Sequence, residues 1–113
     1  MLTRLTIAAV VLFSGAAFAQ VVPLDDAAIT MVLSGQSLTY DDGTKQVFKA
    51  DGQTIFDNGT QSLGRWRVQG DRYCSLWPPS DRWACYDVTQ SADGLAISFV
   101  ADDGSTSTGQ VVK

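Results

Sequence analysis

Apolar and polar residues alternate in several short segments of the chain. In residues 63–68, Trp66 and Val68 fall on one face of an extended strand and two arginines fall on the other. Residues 95–100 repeat the alternation, with a bulky apolar residue at every second position. A period of two is typical of a β-strand that buries one face and exposes the other. The pattern therefore predicts strands in an antiparallel sheet.

Turn signals separate these segments at short and fairly regular intervals, and most of them are Asp-Gly or Asn-Gly pairs. The segments between the turns predict eight strands, at residues 37–40, 45–49, 53–56, 63–68, 72–77, 83–89, 95–100 and 106–112. One helix is predicted at residues 25–33, where Asp25 or Asp26 can cap the start and Gly35 can end it. We expect an all-β fold, a small antiparallel meander of about seven or eight short strands that forms a barrel or a curved sheet, with one short N-terminal helix.

The first nineteen residues have the layout of a cleavable signal peptide. Arg4 precedes an apolar run, and the small-residue site Ala17-Phe18-Ala19 follows it. We expect residues 1–19 to be removed and residues 20–113 to form a single β-barrel-like domain. The apolar run is shorter than the roughly 20 residues that span a bilayer, so we expect no membrane-spanning segment. The sequence predicts a periplasmic or secreted protein, in a bacterial setting.

The two cysteines support an extracytoplasmic location. If residues 72–77 and 83–89 form a hairpin around Pro78-Pro79-Ser80-Asp81, Cys74 lies directly opposite Cys85. Direct cross-strand neighbours are close enough for a disulfide after a small adjustment. The same register pairs Tyr73 with Tyr86 and Leu76 with Trp83. We predict a Cys74–Cys85 disulfide.

Charge and composition exclude several classes of function. The chain has 8 basic and 12 acidic residues, and its net charge of −4 argues against a nucleic-acid partner. All the acidic residues are Asp, which favours turns and caps rather than helices. The chain contains no histidine, so Ser-His-Asp and Cys-His catalysis and His-containing zinc sites are impossible. We expect no catalytic residues, no metal site and no cofactor, and therefore no enzyme.

A candidate for partner binding is the tip of the predicted hairpin. Its residues are Trp77, Pro78, Pro79, Arg82 and Trp83. The prolines stiffen the loop, and tryptophan and arginine are enriched in interface hot spots. The alternative is that one or both tryptophans fold back into the core. The register places the two tryptophans on opposite faces, so at least one should point away from the core.

The aromatic residues of the mature chain leave a second alternative open. They can fill a small barrel or line a cavity inside it. Because eight short strands enclose little more than the volume of their own side chains, we expect the aromatic residues to fill it.

A family resemblance rests on residues 64–77, on Cys85-Tyr86 and on residues 48–52. This pattern resembles small exported β-rich proteins of alphaproteobacteria that have a lipocalin-like character and no known function. The architecture is also similar to that of small periplasmic enzyme inhibitors, which combine a signal peptide, a barrel and one disulfide. We expect a monomeric, non-catalytic binding or interaction module whose partner is another envelope or secreted protein, with inhibition of an envelope or secreted enzyme as one form. The alternative is a lipocalin-like carrier of a small apolar ligand.

Overall fold

The computed structural model describes residues 21–113. The predicted signal peptide at residues 1–19 lies outside the described residues, as does Gln20. The described chain forms nine strands and one helix. In chain order these are β1 (Val21–Pro23), α1 (Asp26–Leu33), β2 (Gln36–Tyr40), β3 (Lys45–Phe48), β4 (Gln53–Asp57), β5 (Gln61–Gln69), β6 (Arg72–Leu76), β7 (Ala84–Ser91), β8 (Ala96–Val100) and β9 (Thr106–Val111).

The strands β2 to β9 form a closed antiparallel barrel. Each pairs with the next along the chain, and β2 pairs with β9 to close the ring. The predicted all-β fold with one short helix is confirmed, and the sheet is a barrel. Within the ring every strand is paired on both sides, so a free edge is left in the described sheet at the additional strand β1.

Two details differ from the prediction. Strand β1 was not predicted, and it pairs with residues Thr89–Ser91 of β7 as a ninth strand outside the ring. The predicted pairing of Leu76 with Trp83 is wrong, because the β6–β7 ladder ends at Ser75 and Ala84. The chain leaves the sheet at that point to accommodate the proline-containing loop.

The turns use aspartate as the sequence predicts. Several Asp side chains accept a hydrogen bond from the backbone N–H two residues further on, and these are Asp42, Asp51, Asp57, Asp93 and Asp103. The tightest turn is the two-residue link between β5 and β6, where Gly70 and Asp71 both have positive φ, at 61° and 59°. Positive φ at both central positions matches the right-handed twist of the flanking strands.

The helix α1 closes one end of the barrel. Asp25 caps it by accepting a hydrogen bond from the N–H of Ala28, and Ile29 and Leu33 are fully buried. Reciprocal hydrogen bonds join Asp26 to Asp71, each backbone N–H donating to the other carboxylate. The helix is thereby fixed to the β5–β6 turn.

The hydrophobic core lies beneath this helix. It consists of Ile29, Leu33, Leu38, Phe48, Trp66, Tyr73, Val88, Ile97 and Phe99. Because successive strands alternate in direction, the turns β2–β3, β4–β5, β6–β7 and β8–β9 lie at the opposite end. No helix covers that end in the described chain, so it forms the mouth of the barrel.

Candidate functional site

A cavity of about 860 Å³ opens at the mouth of the barrel. This volume is within the usual range of small-molecule sites, roughly 300 to 1,000 Å³. Its wall combines aromatic rings with hydroxyl groups and is formed by Tyr40, Asp41, Asp42, Thr44, Gln46, Phe56, Ser62, Leu63, Tyr73, Ser75, Trp77, Pro78, Tyr86, Phe99, Thr106, Ser107 and Thr108. We call this space the mouth cavity.

The aromatic residues divide between filling the barrel and lining the cavity. Phe48 packs edge-on against Trp66 and Tyr73 and stacks with Phe99, which fills the helix end. Tyr73 and Phe99, whose ring centroids are 5.0 Å apart, form the boundary between the core and the cavity. The aromatic residues therefore fill the barrel at the helix end, as expected, whereas at the mouth they line a cavity.

A buried polar network braces the cavity wall around Gln46. The Tyr40 hydroxyl donates to Gln46 Oε1 at 2.6 Å, and Gln46 Nε2 donates to Thr54 Oγ1 at 3.0 Å and to the Tyr73 hydroxyl at 3.3 Å. Thr54 Oγ1 in turn donates to the carbonyl of Val47. No buried side-chain nitrogen or oxygen in the described residues lacks a partner. A satisfied network of this kind holds its side chains in one arrangement.

Burial disfavours the charged form of the two tyrosines in this network. It raises the pKa of Tyr40 far above its usual value of 10.0, and the neighbouring Tyr73 adds to the effect. Burial also raises the pKa of Tyr73, to about 12. Both phenols therefore carry their protons throughout the physiological range.

Trp77 forms one side of the mouth. Its ring meets Phe56 at a centroid distance of 6.1 Å, and its Nε1 donates to Ser75 Oγ at 3.1 Å. The ring lies against Gly64, where a side chain would collide with it. Trp77 is half-buried, so part of the indole faces the cavity.

The other members of the predicted partner-binding tip lie elsewhere. Trp83 does not line the cavity; the guanidinium of Arg67, on the outer face of β5, lies 4.0 Å from its ring centroid. Pro78, Pro79 and Arg82 are exposed, and Pro78 also borders the cavity. The tip is thus divided, with Trp77 turned toward the inside of the barrel and Trp83 packed on the outside.

The disulfide forms where it was predicted. Cys74 and Cys85 are bonded, directly opposite each other in the β6–β7 ladder. The neighbouring pair Tyr73 and Tyr86 also has the predicted register. The bond fixes the strands that lead into and out of the proline loop, and it is consistent with an oxidising extracytoplasmic compartment.

Sequence reasoning did not identify the cavity residues Tyr40, Gln46, Phe56 and Ser75 as a set. They lie on four different strands, and nothing in the local sequence marks a strand position as facing an empty rather than a filled part of a barrel. One signal was present for Gln46, a polar residue at an inward position of a predicted strand. A buried amide of this kind requires partners, and its partners define the cavity wall.

Residues 21–113 contain no cluster of three or more His, Cys, Asp or Glu that could hold a metal ion. Over the same range, no helix is long and apolar enough to cross a membrane. Comparison of the chain with protein-family models, with curated proteins and with solved structures finds no match. The resemblance to exported alphaproteobacterial proteins accordingly stays a prediction.

Proposed function

We propose that this protein is a non-catalytic binding protein that carries a small molecule with an apolar body in the mouth cavity. The observation that carries the proposal is the cavity itself, about 860 Å³ in volume and walled by aromatic rings at one end of a closed barrel. The rings that line this open space leave apolar surface exposed to water. A ligand that covers these rings removes apolar surface from water, and that burial supplies the binding free energy.

The cavity wall is rigid in the way that ligand binding favours. Barrel strands carry the aromatic rings, the Gln46 network holds Tyr40 and Tyr73, and the hydrogen bond to Ser75 orients Trp77. Little side-chain entropy is then lost when a ligand enters. The lining hydroxyls of Thr44, Ser62 and Ser107 can orient polar groups of the ligand.

The chemistry of the lining supports binding without catalysis. Tyr40 and Tyr73 have raised pKa values and stay protonated, so neither acts as a base near neutral pH. The hydroxyl groups in the wall have no histidine to activate them, because the chain has none. Histidine is the side chain that most often serves as the general base for such a hydroxyl.

We place this function in the periplasm or the cell exterior. The disulfide supports that location, together with the signal-like sequence at residues 1–19. A lipocalin-like carrier of this type would hold its ligand in an aqueous compartment.

The test is a binding titration with the neutral fluorescent dye Nile red, paired with a variant that fills the cavity. Ser62 lines the mouth opposite Phe56 in the ladder, and the adjacent Gln61 points to the other face of β5. We expect Ser62→Trp to abolish most of the dye fluorescence and Gln61→Trp to leave it unchanged. Equal binding by both variants and the wild type would place the dye elsewhere and contradict the proposal. If the dye binds in the cavity as expected, mass spectrometry of the native protein extracted from its host would identify the natural ligand.

A second candidate function is an interaction module of the cell envelope, with inhibition of another exported enzyme as one form. The observation that favours it is the outward position of Trp83 and Arg82 beside a disulfide-braced loop. A protein partner that uses this loop should lose affinity in the Trp83→Ala and Arg82→Ala variants. Filling the cavity with Ser62→Trp should not affect that partner, which separates the two functions.

A further inference from the structure

The charged side chains in the wall of the mouth cavity are all of one sign. Asp41 and Asp42 line the cavity at its rim, where both residues are exposed to solvent, and no lysine or arginine of the described chain lines it. The adjoining groove on the outside of the barrel contains Lys45, which lies directly opposite Asp57 in the β3–β4 ladder. The lysine of this groove therefore has a carboxylate neighbour of its own.

The turns around the mouth extend this negative charge. They carry Asp41, Asp42, Asp81, Asp102 and Asp103, against a single basic residue, Arg82. Arg72, on the outer face of β6, bonds Asp102 at 2.7 Å and Asp87 at 3.1 Å, so it compensates part of the charge of the β8–β9 turn but does not line the cavity. Arg67 is stacked on Trp83, away from the cavity. A concave site with charges of one sign concentrates counter-ions of the opposite sign.

The aromatic rings in the wall also attract positive charge. The faces of Trp77, Tyr40, Tyr86 and Phe56 carry the negative side of the ring quadrupole, and tryptophan gives the strongest cation–π contact. Phe56 lies between Tyr40 and Trp77, with centroid distances of 6.3 and 6.1 Å. A ligand with a flat apolar body and a positive group could cover these rings while its charge faces the carboxylates.

We propose that the mouth cavity selects an organic cation with a flat apolar or aromatic body, such as an aromatic amine or a quaternary ammonium compound. This inference rests on the proposed function of the cavity as a ligand site. It adds the sign of the ligand's charge, and it excludes fatty acids and other organic anions as the preferred cargo. An anion in this cavity would lose water without gaining a basic partner, and it would face two carboxylates.

The experiment compares three probes that share one aromatic body and differ in charge. They are (1-naphthylmethyl)trimethylammonium, 1-naphthalenemethanol and 1-naphthalenesulfonate, titrated into the disulfide-bonded protein by calorimetry at low salt. We expect the cation to bind most tightly, the neutral alcohol next and the anion least. Added salt should weaken the binding of the cation and leave the binding of the alcohol unchanged, because screening acts on charge alone.

A double variant tests the source of the selectivity. Asp41→Asn/Asp42→Asn removes both lining charges, and an asparagine at position 42 keeps the side-chain oxygen that accepts from Thr44 N. We expect this variant to bind the cation about three- to tenfold more weakly and the alcohol as before. The matched control is Asp51→Asn/Asp93→Asn, which changes the net charge equally in two turns at the helix end. The control should keep the affinity of the wild type for the cation.

The possible failures separate the inference from the function on which it rests. The inference of selectivity for cations is wrong if the sulfonate binds as tightly as the cation, or if both double variants lose the same affinity for the cation. The cavity remains a ligand site in either case. If none of the three probes binds and Nile red also fails to bind, the proposed function is wrong and the inference falls with it.

Discussion

The indole of Trp77 lies directly over Gly64. A Cβ placed on Gly64 would be 2.6 Å from Cε3 of Trp77 and 2.8 Å from the carbonyl oxygen of Leu76. Glycine at this position is therefore what allows the tryptophan ring to pack closely against the inner surface of β5. The wall of the mouth cavity depends on this contact.

The Gly64→Ala variant should be destabilised, because the methyl group has no room. We expect a loss of about 1 to 3 kcal/mol in the free energy of unfolding, the usual cost of overpacking. Urea denaturation of the variant and the wild type gives the measurement. In a Trp77→Ala background the same change should lower the free energy of unfolding by a smaller amount. Part of the loss should remain, because the carbonyl oxygen of Leu76 still crowds the methyl group. An equal cost in both backgrounds would show that Trp77 does not lie on Gly64.

Loss of the disulfide should lower stability by about 3 kcal/mol, the chain-entropy value for a loop of this length. The bonded cysteines are separated by 11 positions in the sequence. Denaturation with and without reductant measures the difference, and the Cys74→Ser/Cys85→Ser variant should match the reduced protein. Two free thiols in the denatured, non-reduced protein would contradict the bond.

Stability should fall at high pH because of the buried tyrosines. The pKa of Tyr73 is raised from 10.0 to about 12, and that of Tyr40 is raised further. At pH values between the ordinary pKa of tyrosine and the raised pKa in the folded protein, the unfolded chain loses protons that the folded protein retains. The stabilisation from the neutral phenols is therefore complete below pH 10 and is lost as pH rises, by up to about 1.4 kcal/mol per pH unit for each tyrosine.

Urea denaturation at about pH 9 and about pH 11 measures this loss. Tyr73→Phe lacks one titrating group, so its stability should fall less steeply over the same interval, even if its stability at neutral pH is lower. Equal slopes for the variant and the wild type would exclude Tyr73 as a source of the effect.

Quenching by acrylamide should distinguish the three tryptophans. Variants that keep one tryptophan and replace the other two by phenylalanine isolate each signal. Trp66 is 7% exposed and should be the most shielded, whereas Trp77 and Trp83 are half-buried and should both be quenched. Added 1-naphthalenemethanol should protect Trp77 and leave Trp83 unchanged. If Trp77 and Trp83 are both shielded in the free protein, the loop between them is a structural corner and not a binding tip.

Much of the fold could be predicted because its signals are local. The Asp-Gly turns locate the hairpins, and the alternation of Trp66 and Val68 with arginines identifies the buried face of β5. The position of Cys74 opposite Cys85 follows from the length of the loop between them. Strand β1 could not be predicted in this way, because a three-residue segment that ends in Pro23 shows no alternation and pairs with a strand far along the chain.

The cavity was harder to predict from the sequence than the strands were. It depends on how the barrel closes and on how far α1 fills it from one end, and these are properties of the whole ring. Local alternation marks Tyr40 and Phe48 equally as inward residues. Only the assembled barrel separates Phe48, which is fully buried in the core, from Tyr40, which lines the cavity.

The pairing of β2 with β9 has a consequence for the order in which the protein assembles. Every other neighbouring pair in the barrel joins consecutive strands, whereas this seam brings Tyr40 opposite Gly109 across most of the described chain. Bringing distant segments together costs chain entropy before any contact forms. We therefore expect the hairpins to form early and the seam to close last. Gly109 lies at that closing point, where an added Cβ would be 2.9 Å from the Cβ of Leu38, so Gly109→Ala should slow folding by obstructing closure of the ring.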